Sequence, residues 1–126
     1  MFKKLLLLCA LIMTVSTSLQ AKSKAEKAGW KIAMQSYTFH LFTLQEALNK
    51  CRELGIKYIE VYPGHKLGER YGELSFGPDL DAQTLKRIRQ DASRRGIRIV
   101  GSGVFTSDNK EDWTRFFQRV SAGIPD

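Results

Sequence analysis

The sequence predicts an α/β chain of the (β/α)8 TIM-barrel type, of which the first three βα units are present. Three observations lead there. Strand-type and helix-type apolar patterns alternate three times from Trp30 onward. The strand segments are nearly continuous apolar runs, as in a parallel sheet covered by helices. And one device recurs at Gly55-Ile56, Gly96-Ile97 and Gly123-Ile124: a glycine suited to a left-handed helix end, joined directly to a β-branched strand starter.

The first unit begins with a strand over residues 31–37, where Ile32, Ala33, Met34 and Tyr37 suit a buried position. Thr43 is the expected N-cap of the helix that follows, because Glu46 stands three residues on and completes a capping box. Leu44, Ala47, Leu48, Cys51 and Leu54 recur at helical spacing and form one apolar face. Gly55 stops this helix, and Ile56, Tyr58, Ile59, Val61 and Tyr62 form the second strand.

A loop from Pro63 to Pro78 follows, containing Gly64, Gly68, Gly72 and Gly77. Asp79 or Asp81 caps the second helix, whose stripe is Leu85, Ile88 and Ala92 and whose stop is Gly96. The third strand starts at Ile97, Ile99 and Val100 and runs toward Val104 and Phe105. The third helix caps at Ser107 or Asp108, the latter with Glu111 three residues on. Trp113, Phe116, Phe117 and Val120 line its apolar face. After Gly123 and Ile124 only Pro125 and Asp126 remain, where a fourth strand is expected to start. The aromatic face of the third helix needs a partner surface, and the last strand would be an unprotected edge. A closed barrel of roughly 250 residues answers both needs, so the chain reads as a partial barrel.

Residues 1–21 differ from the rest. Lys3 and Lys4 precede an apolar run from Leu5 to Val15; Ser16, Thr17 and Ser18 follow, and Ala21 offers a small residue for cleavage. This is the order of a secretory signal peptide. The run is about half of the ~20 residues a spanning helix needs. The expected organisation is therefore a signal peptide over 1–21, a polar leader over 22–29 and the partial barrel domain over 30–126. The expected location is periplasmic or secreted, with no permanent anchor after cleavage. Residues 1–21 hold two of the 20 lysines and arginines and none of the 13 acids, so cleavage takes the net charge from +7 to +5. The densest basic group is Lys86, Arg87, Arg89, Arg94, Arg95 and Arg98, on and just beyond a helix with no stacking aromatics between them. A solvated helix face explains it, and nucleic acid is excluded as a partner. Cys51 is the one cysteine left after cleavage. It falls on an apolar stripe, so the fold holds without an internal disulfide.

The segments Trp30–Phe39 (WKIAMQSYTF), Thr43–Leu48 (TLQEAL), Leu54–Gly68 (LGIKYIEVYPGHKLG) and Arg95–Val104 (RGIRIVGSGV) resemble, in that order, the opening strands of the xylose isomerase-like proteins, the sugar phosphate isomerases and epimerases, in their exported bacterial form. The likeness covers about residues 30–122. It implies metal-dependent isomerisation or epimerisation of a sugar or sugar derivative, with a divalent metal as cofactor in a full-length protein. The family's metal-binding Glu, Asp and His come from later strands, so no metal ligand and no catalytic residue is assigned here. The chain is expected to be inactive alone.

In a barrel, functional groups sit at the carboxyl ends of the strands. That rule selects Gln35 and His40 after the first strand, Glu60 near the end of the second, and His65 with Lys66 at the start of the long loop, as substrate-binding candidates. Ser102 and Thr106 flank the end of the third strand. Glu60 is the one acid flanked on both sides by strand-type apolar residues, Ile59 and Val61. A carboxylate there needs a partner, either a ligand hydroxyl or an ion pair with Lys31 or Arg98. His40 and His65, the two histidines, match no compact metal motif with Glu60. Tyr37, Phe39, Phe42 and Tyr62 either form an apolar wall for a sugar ring or fill the core. Gly101-Ser102-Gly103 is too short for a dinucleotide fingerprint, and no serine lies in a hydrolase elbow. The alternative to a sugar isomerase is a non-catalytic carbohydrate-binding or interaction module.

Overall fold

The structure, a computed structural model, describes residues 23–123. The signal peptide expected over 1–21 and the strand start expected at Ile124 lie outside the described residues. The chain divides into two compact units between Lys31 and Ile32.

In the first unit, helix α1 spans Lys24–Lys27. Ser23 Oγ accepts from the Glu26 amide at 3.1 Å, and Glu26 Oε2 accepts from the Ser23 amide at 2.9 Å. This reciprocal pair satisfies two of the donors a helix start leaves open. The polar leader therefore carries one helical turn where the sequence pattern suggested none.

The second unit runs β1 (Ala33–Gln35), a 3₁₀ turn (Ser36–Phe39), α2 (Leu44–Glu53), β2 (Tyr58–Val61), a second 3₁₀ turn (Glu69–Tyr71), α3 (Ala82–Ser93), β3 (Arg98–Ser102) and α4 (Lys110–Gly123). The strands pair in parallel in the order β1-β2-β3. This corrects the barrel expectation. Among the described residues there are three strands, and β1 and β3 each pair with β2 alone, so the sheet is open. Barrel closure would require the two outer strands to find partners on their far sides. The fold is a small α/β unit with a three-stranded parallel sheet.

The helix ends behave as the glycine pattern indicates. At the end of α2, Ile56 N donates to Cys51 O at 2.8 Å and Gly55 N to Arg52 O at 3.1 Å, with Gly55 at φ 71°. At the end of α3, Ile97 N donates to Ala92 O and Gly96 N to Ser93 O, again with φ 71° at the glycine. These are the two bonds of a Schellman stop. Gly123 differs, being the last residue of α4 itself. The start of α4 differs too. Asn109 Oδ1 accepts from the Glu111 amide at 2.8 Å, while Ser107 Oγ accepts from the Asn109 amide, so the capping oxygen belongs to Asn109 and not to Ser107 or Asp108.

The core lies on one face of the sheet. Ile59 and Val61 of β2 and Ile99 of β3 are buried against Leu48 and Cys51 of α2 and Ile88 of α3. Each large apolar side chain buried there contributes roughly 1.5–3 kcal/mol. Cys51 is fully buried, and burial pushes its thiol pKa up, as suits a packing residue. The alternating positions of β2, Tyr58 and Glu60, are half-buried, and Ala33 and Gln35 of β1 are exposed. The face that carries Gln35 and Glu60 is thus the one the helices leave open.

Candidate functional site

The site is built where β1 and β2 end. Gln35 and Glu60 are register partners on neighbouring strands. Gln35 Nε2 donates to Glu60 Oε1 at 3.0 Å and reaches the Gly103 carbonyl at 3.5 Å. The partner of Glu60 is therefore an amide, not the cation offered as the alternative. The amide neutralises no charge, and Oε2 accepts no hydrogen bond among the described residues. The carboxylate lies across the end of β3, where glycines make room for it. A Cβ at Gly103 would stand 3.0 Å from Glu60 Oε1, and one at Gly101 3.3 Å from Glu60 Cγ. A register irregularity between Ile59 and Glu60 sets Glu60 opposite Gly101, and bulges of this kind re-aim a side chain at a strand end.

Beside this pair runs a series of four rings. His40 stacks on Tyr37 with centroids 4.7 Å apart, Tyr37 meets Tyr62 edge-on at 5.1 Å, and Tyr62 stacks on His65 at 4.6 Å. Tyr37 is 55% exposed and Phe42 42% exposed. Tyr37 thus presents aromatic surface at the strand ends, next in sequence but one to Gln35. Phe42 lies further along the turn, beneath the Lys50 ammonium at 4.1 Å. Phe39 packs against the core instead.

The five candidate residues separate into two groups. Gln35 and Glu60 come together, and His40, exposed and stacked on Tyr37, has an accessible edge: its Nδ1–H donates to the Tyr37 carbonyl at 2.9 Å, leaving Nε2 without a hydrogen-bond partner among the described residues. Lys66 is exposed and lies 3.9 Å from the equally exposed Glu73, a pairing of little strength. His65 is placed differently from the expectation. It is 0% exposed, and both ring nitrogens are engaged, Nδ1 with Ser36 Oγ and Nε2 with the Phe42 carbonyl, each at 3.0 Å. A ligand cannot reach either nitrogen, so His65 holds the site together rather than contacting a substrate. Burial lowers its pKa below the ordinary 6.5; the Phe42 carbonyl pulls the other way and His40 adds to the lowering.

Sequence reasoning missed Ser36. Its Oγ accepts from the Tyr62 amide at 3.1 Å and meets His65, and the residue is fully buried. The signal available was its position, a small hydroxyl at the first residue after β1. Ser102, at the end of β3, has a buried hydroxyl with no hydrogen-bond partner among the described residues. The divalent ion implied by the sequence resemblance finds no ligand set: among the described residues no three of His, Cys, Asp and Glu stand close enough to hold a metal ion. Between His40 and His65 lie the two tyrosine rings, so the histidines and Glu60 do not converge. Nor is any described helix long and apolar enough to cross a membrane.

No family model matches the chain, and no curated protein matches it. Among solved structures it is similar to an uncharacterised protein from Parabacteroides distasonis. The two share 30% sequence identity over 75% of this chain, with a TM-score of 0.71. The chain spans 40% of the length of that protein.

Proposed function

We propose that the open face at the ends of β1 and β2 recognises a small polyhydroxylated molecule, a sugar or sugar derivative, and that the chain is part of an isomerase or epimerase acting on it. The observation that carries the binding half is the Gln35–Glu60 pair. One carboxylate oxygen is fixed by the amide at 3.0 Å and the other is left to accept from a ligand hydroxyl. A charged acceptor of this kind contributes about 1.5–3 kcal/mol per hydroxyl bond. Tyr37 supplies an adjacent apolar surface for the C–H face of a ring, and His40 Nε2 offers a further hydrogen-bonding group. The reaction class rests on the sequence resemblance of the strand segments and not on a proton-transfer residue. A carboxylate beside a bound hydroxyl is a group that can orient it, and no reaction step is assigned to Glu60. No step is routed through a metal, since the described residues offer it no ligands.

The test is a panel of aldoses, ketoses and their phosphates titrated into the full chain and followed by amide NMR. Binding that shifts Gln35, Tyr37 and Glu60 and weakens about 10–100-fold in Glu60→Gln is the expected result. Shifts located elsewhere, or indifferent to that substitution, would sink the proposal. Adding Mg²⁺ or Mn²⁺ and following the sugar by ¹³C NMR tests the chain by itself: binding without interconversion is expected of a partial isomerase and of a carbohydrate-binding module alike, and interconversion would overturn the expectation that the chain is inactive alone.

A further inference from the structure

The buried Ser36–His65 contact fixes more than a distance. The Phe42 carbonyl can only accept, so His65 Nε2 carries a proton and donates across 3.0 Å. In the neutral ring Nδ1 is then a bare acceptor, and Ser36 must donate its hydroxyl proton to it across 3.0 Å. Ser36 Oγ keeps a lone pair for the Tyr62 amide at 3.1 Å. Every donor and acceptor in this unit is used once, and the unit joins four segments: the turn after β1, the end of β2, the start of the long loop and Phe42 before α2. The loop is tied in turn by Gly64 N to Phe76 O at 2.7 Å and Phe76 N to His65 O at 2.8 Å.

A second proton on His65 disturbs all of it. Nδ1–H would become a donor toward Ser36 Oγ, and the serine hydroxyl would have to turn away from the ring toward another acceptor, although the residue is fully buried. The charge itself would sit in a site with 0% exposure and, among the described residues, no carboxylate partner. The titratable neighbours are rings: Tyr62 stacked on His65, Tyr37 beyond it, and His40 on Tyr37. The charged groups on the adjoining elements are Lys50, held over the Phe42 ring, Glu46, held by the Thr43 cap, and the exposed Lys66 with Glu73. None of these acids forms an ion pair with His65.

We propose that His65 is a positioning residue that works as a proton-sensitive latch: in its neutral Nε2–H form it locks the turn after β1, Tyr62 and the long loop into one unit, and uptake of a proton at Nδ1 releases the Tyr37–Tyr62 platform. This does not depend on what binds at Gln35 and Glu60. The chain holds two histidines, so the imidazole nitrogens of the full chain can be assigned and followed by ¹⁵N NMR from pH 8 downward. The expected result is a neutral Nε2–H ring for His65 that takes up its proton below the ordinary imidazole value of 6.5, with the amides of Tyr62, Gly64 and Phe76 moving together as it does. His65→Gln, which keeps one donor for the Phe42 carbonyl but cannot titrate, removes that joint transition, whereas His40→Gln leaves it in place. An Nδ1–H tautomer, protonation of His65 without movement of those three amides, or a transition that survives in His65→Gln would each overturn the proposal. Should His65→Gln fail to fold, the tautomer and the native titration decide the matter alone.

Discussion

The hydroxyl of Tyr71 donates to Asp91 Oδ2 at 2.6 Å, and both side chains are buried. The other oxygen of Asp91 accepts from Arg70 at 2.8 Å and from Arg94 at 3.2 Å, and the arginines are 56% and 63% exposed. One carboxylate of α3 thereby ties down the 3₁₀ turn of the long loop, the segment that carries His65. Arg95 adds a bond from Nη1 to the Asp91 carbonyl and one from Nε to Asn49 on α2. Arg94 and Arg95, at the end of α3, thus serve the packing of this helix.

Asp91→Ala is expected to cost more than Tyr71→Phe in urea unfolding of the full chain. The alanine strands a buried phenol without an acceptor, an effect of about 1–3 kcal/mol, while the exposed arginines return to water at little cost. The phenylalanine leaves Asp91 two charged donors and should cost about 1 kcal/mol. Equal losses would mean that the hydroxyl is not the buried group that matters. A double-mutant cycle measures the coupling directly.

Tyr71 also predicts a pH effect. Burial first, and then the hydrogen bond to Asp91, push its pKa from 10 up to about 12. The folded state therefore keeps a proton that the unfolded chain loses near pH 10, and stability falls as pH rises from 10 toward 12. The four tyrosines can be titrated by phenolate absorbance, and the step near pH 12 should vanish in Tyr71→Phe. Persistence of that step would assign it to another ring.

Local signals were legible in the sequence, and long-range ones were not. The Gly55-Ile56 and Gly96-Ile97 stops, the Thr43 cap and the apolar stripe of α3 are all set by residues within one or two turns, and the structure has them as expected; of the α2 stripe, Leu44, Ala47, Leu48 and Cys51 are buried, while Leu54, the residue after the helix, is 65% exposed. Asp81 fills its cap, accepting from the Thr84 amide at 2.8 Å. The barrel could not be read in the same way, because closure is a relation between strands distant in sequence; the three described strands form an open sheet. At the site, Gln35 and Glu60 were selected by the strand-end rule, but their bond to each other depends on a register between strands 25 residues apart. His65 was expected to contact a substrate because it opens the loop after the second strand. Its burial comes from the Lys66–Ser75 bridge and the bonds from the Leu44 and Gln45 amides to Lys66 and Leu67, which fold the loop over it.

The Thr43 cap gives a stability test independent of the site. Its Oγ1 accepts from the Glu46 amide at 3.3 Å, and Glu46 Oε2 accepts from the Thr43 amide at 2.8 Å. Thr43→Ala should lower stability by about 0.5–2 kcal/mol in chemical denaturation. These bonds from Thr43 hold the Glu46 pKa below its usual 4.5. Its contribution is therefore present above that pH and is lost as pH falls through the lowered value. Glu46→Gln removes the titrating carboxylate, and an unchanged acid limb in that variant would show that the capping box does not operate in solution.

Gly103→Ala separates the site from the fold. A Cβ there would meet Glu60 Oε1 at 3.0 Å, the same oxygen that accepts from Gln35 Nε2 at 3.0 Å. The carboxylate is the far end of a flexible side chain, so it can move aside, and global stability should change by no more than about 1 kcal/mol. What should change is the Gln35–Glu60 bond, read as a shift of the Gln35 side-chain amide signals in NMR and as weaker sugar binding. Gly101→Ala, with its nearest approach at 3.3 Å to Glu60 Cγ, should do the same to a smaller degree. Gly68→Ala supplies the contrast. Its backbone sits at φ +115°, which an L side chain rarely adopts, and the new Cβ would stand 2.5 Å from Gln45 Oε1. That substitution should lower stability without touching the Gln35 signals. If Gly103→Ala instead unfolds the chain while Gln35 keeps its native signals in the remaining folded fraction, the glycine serves the backbone of the β3 end and not the placement of Glu60.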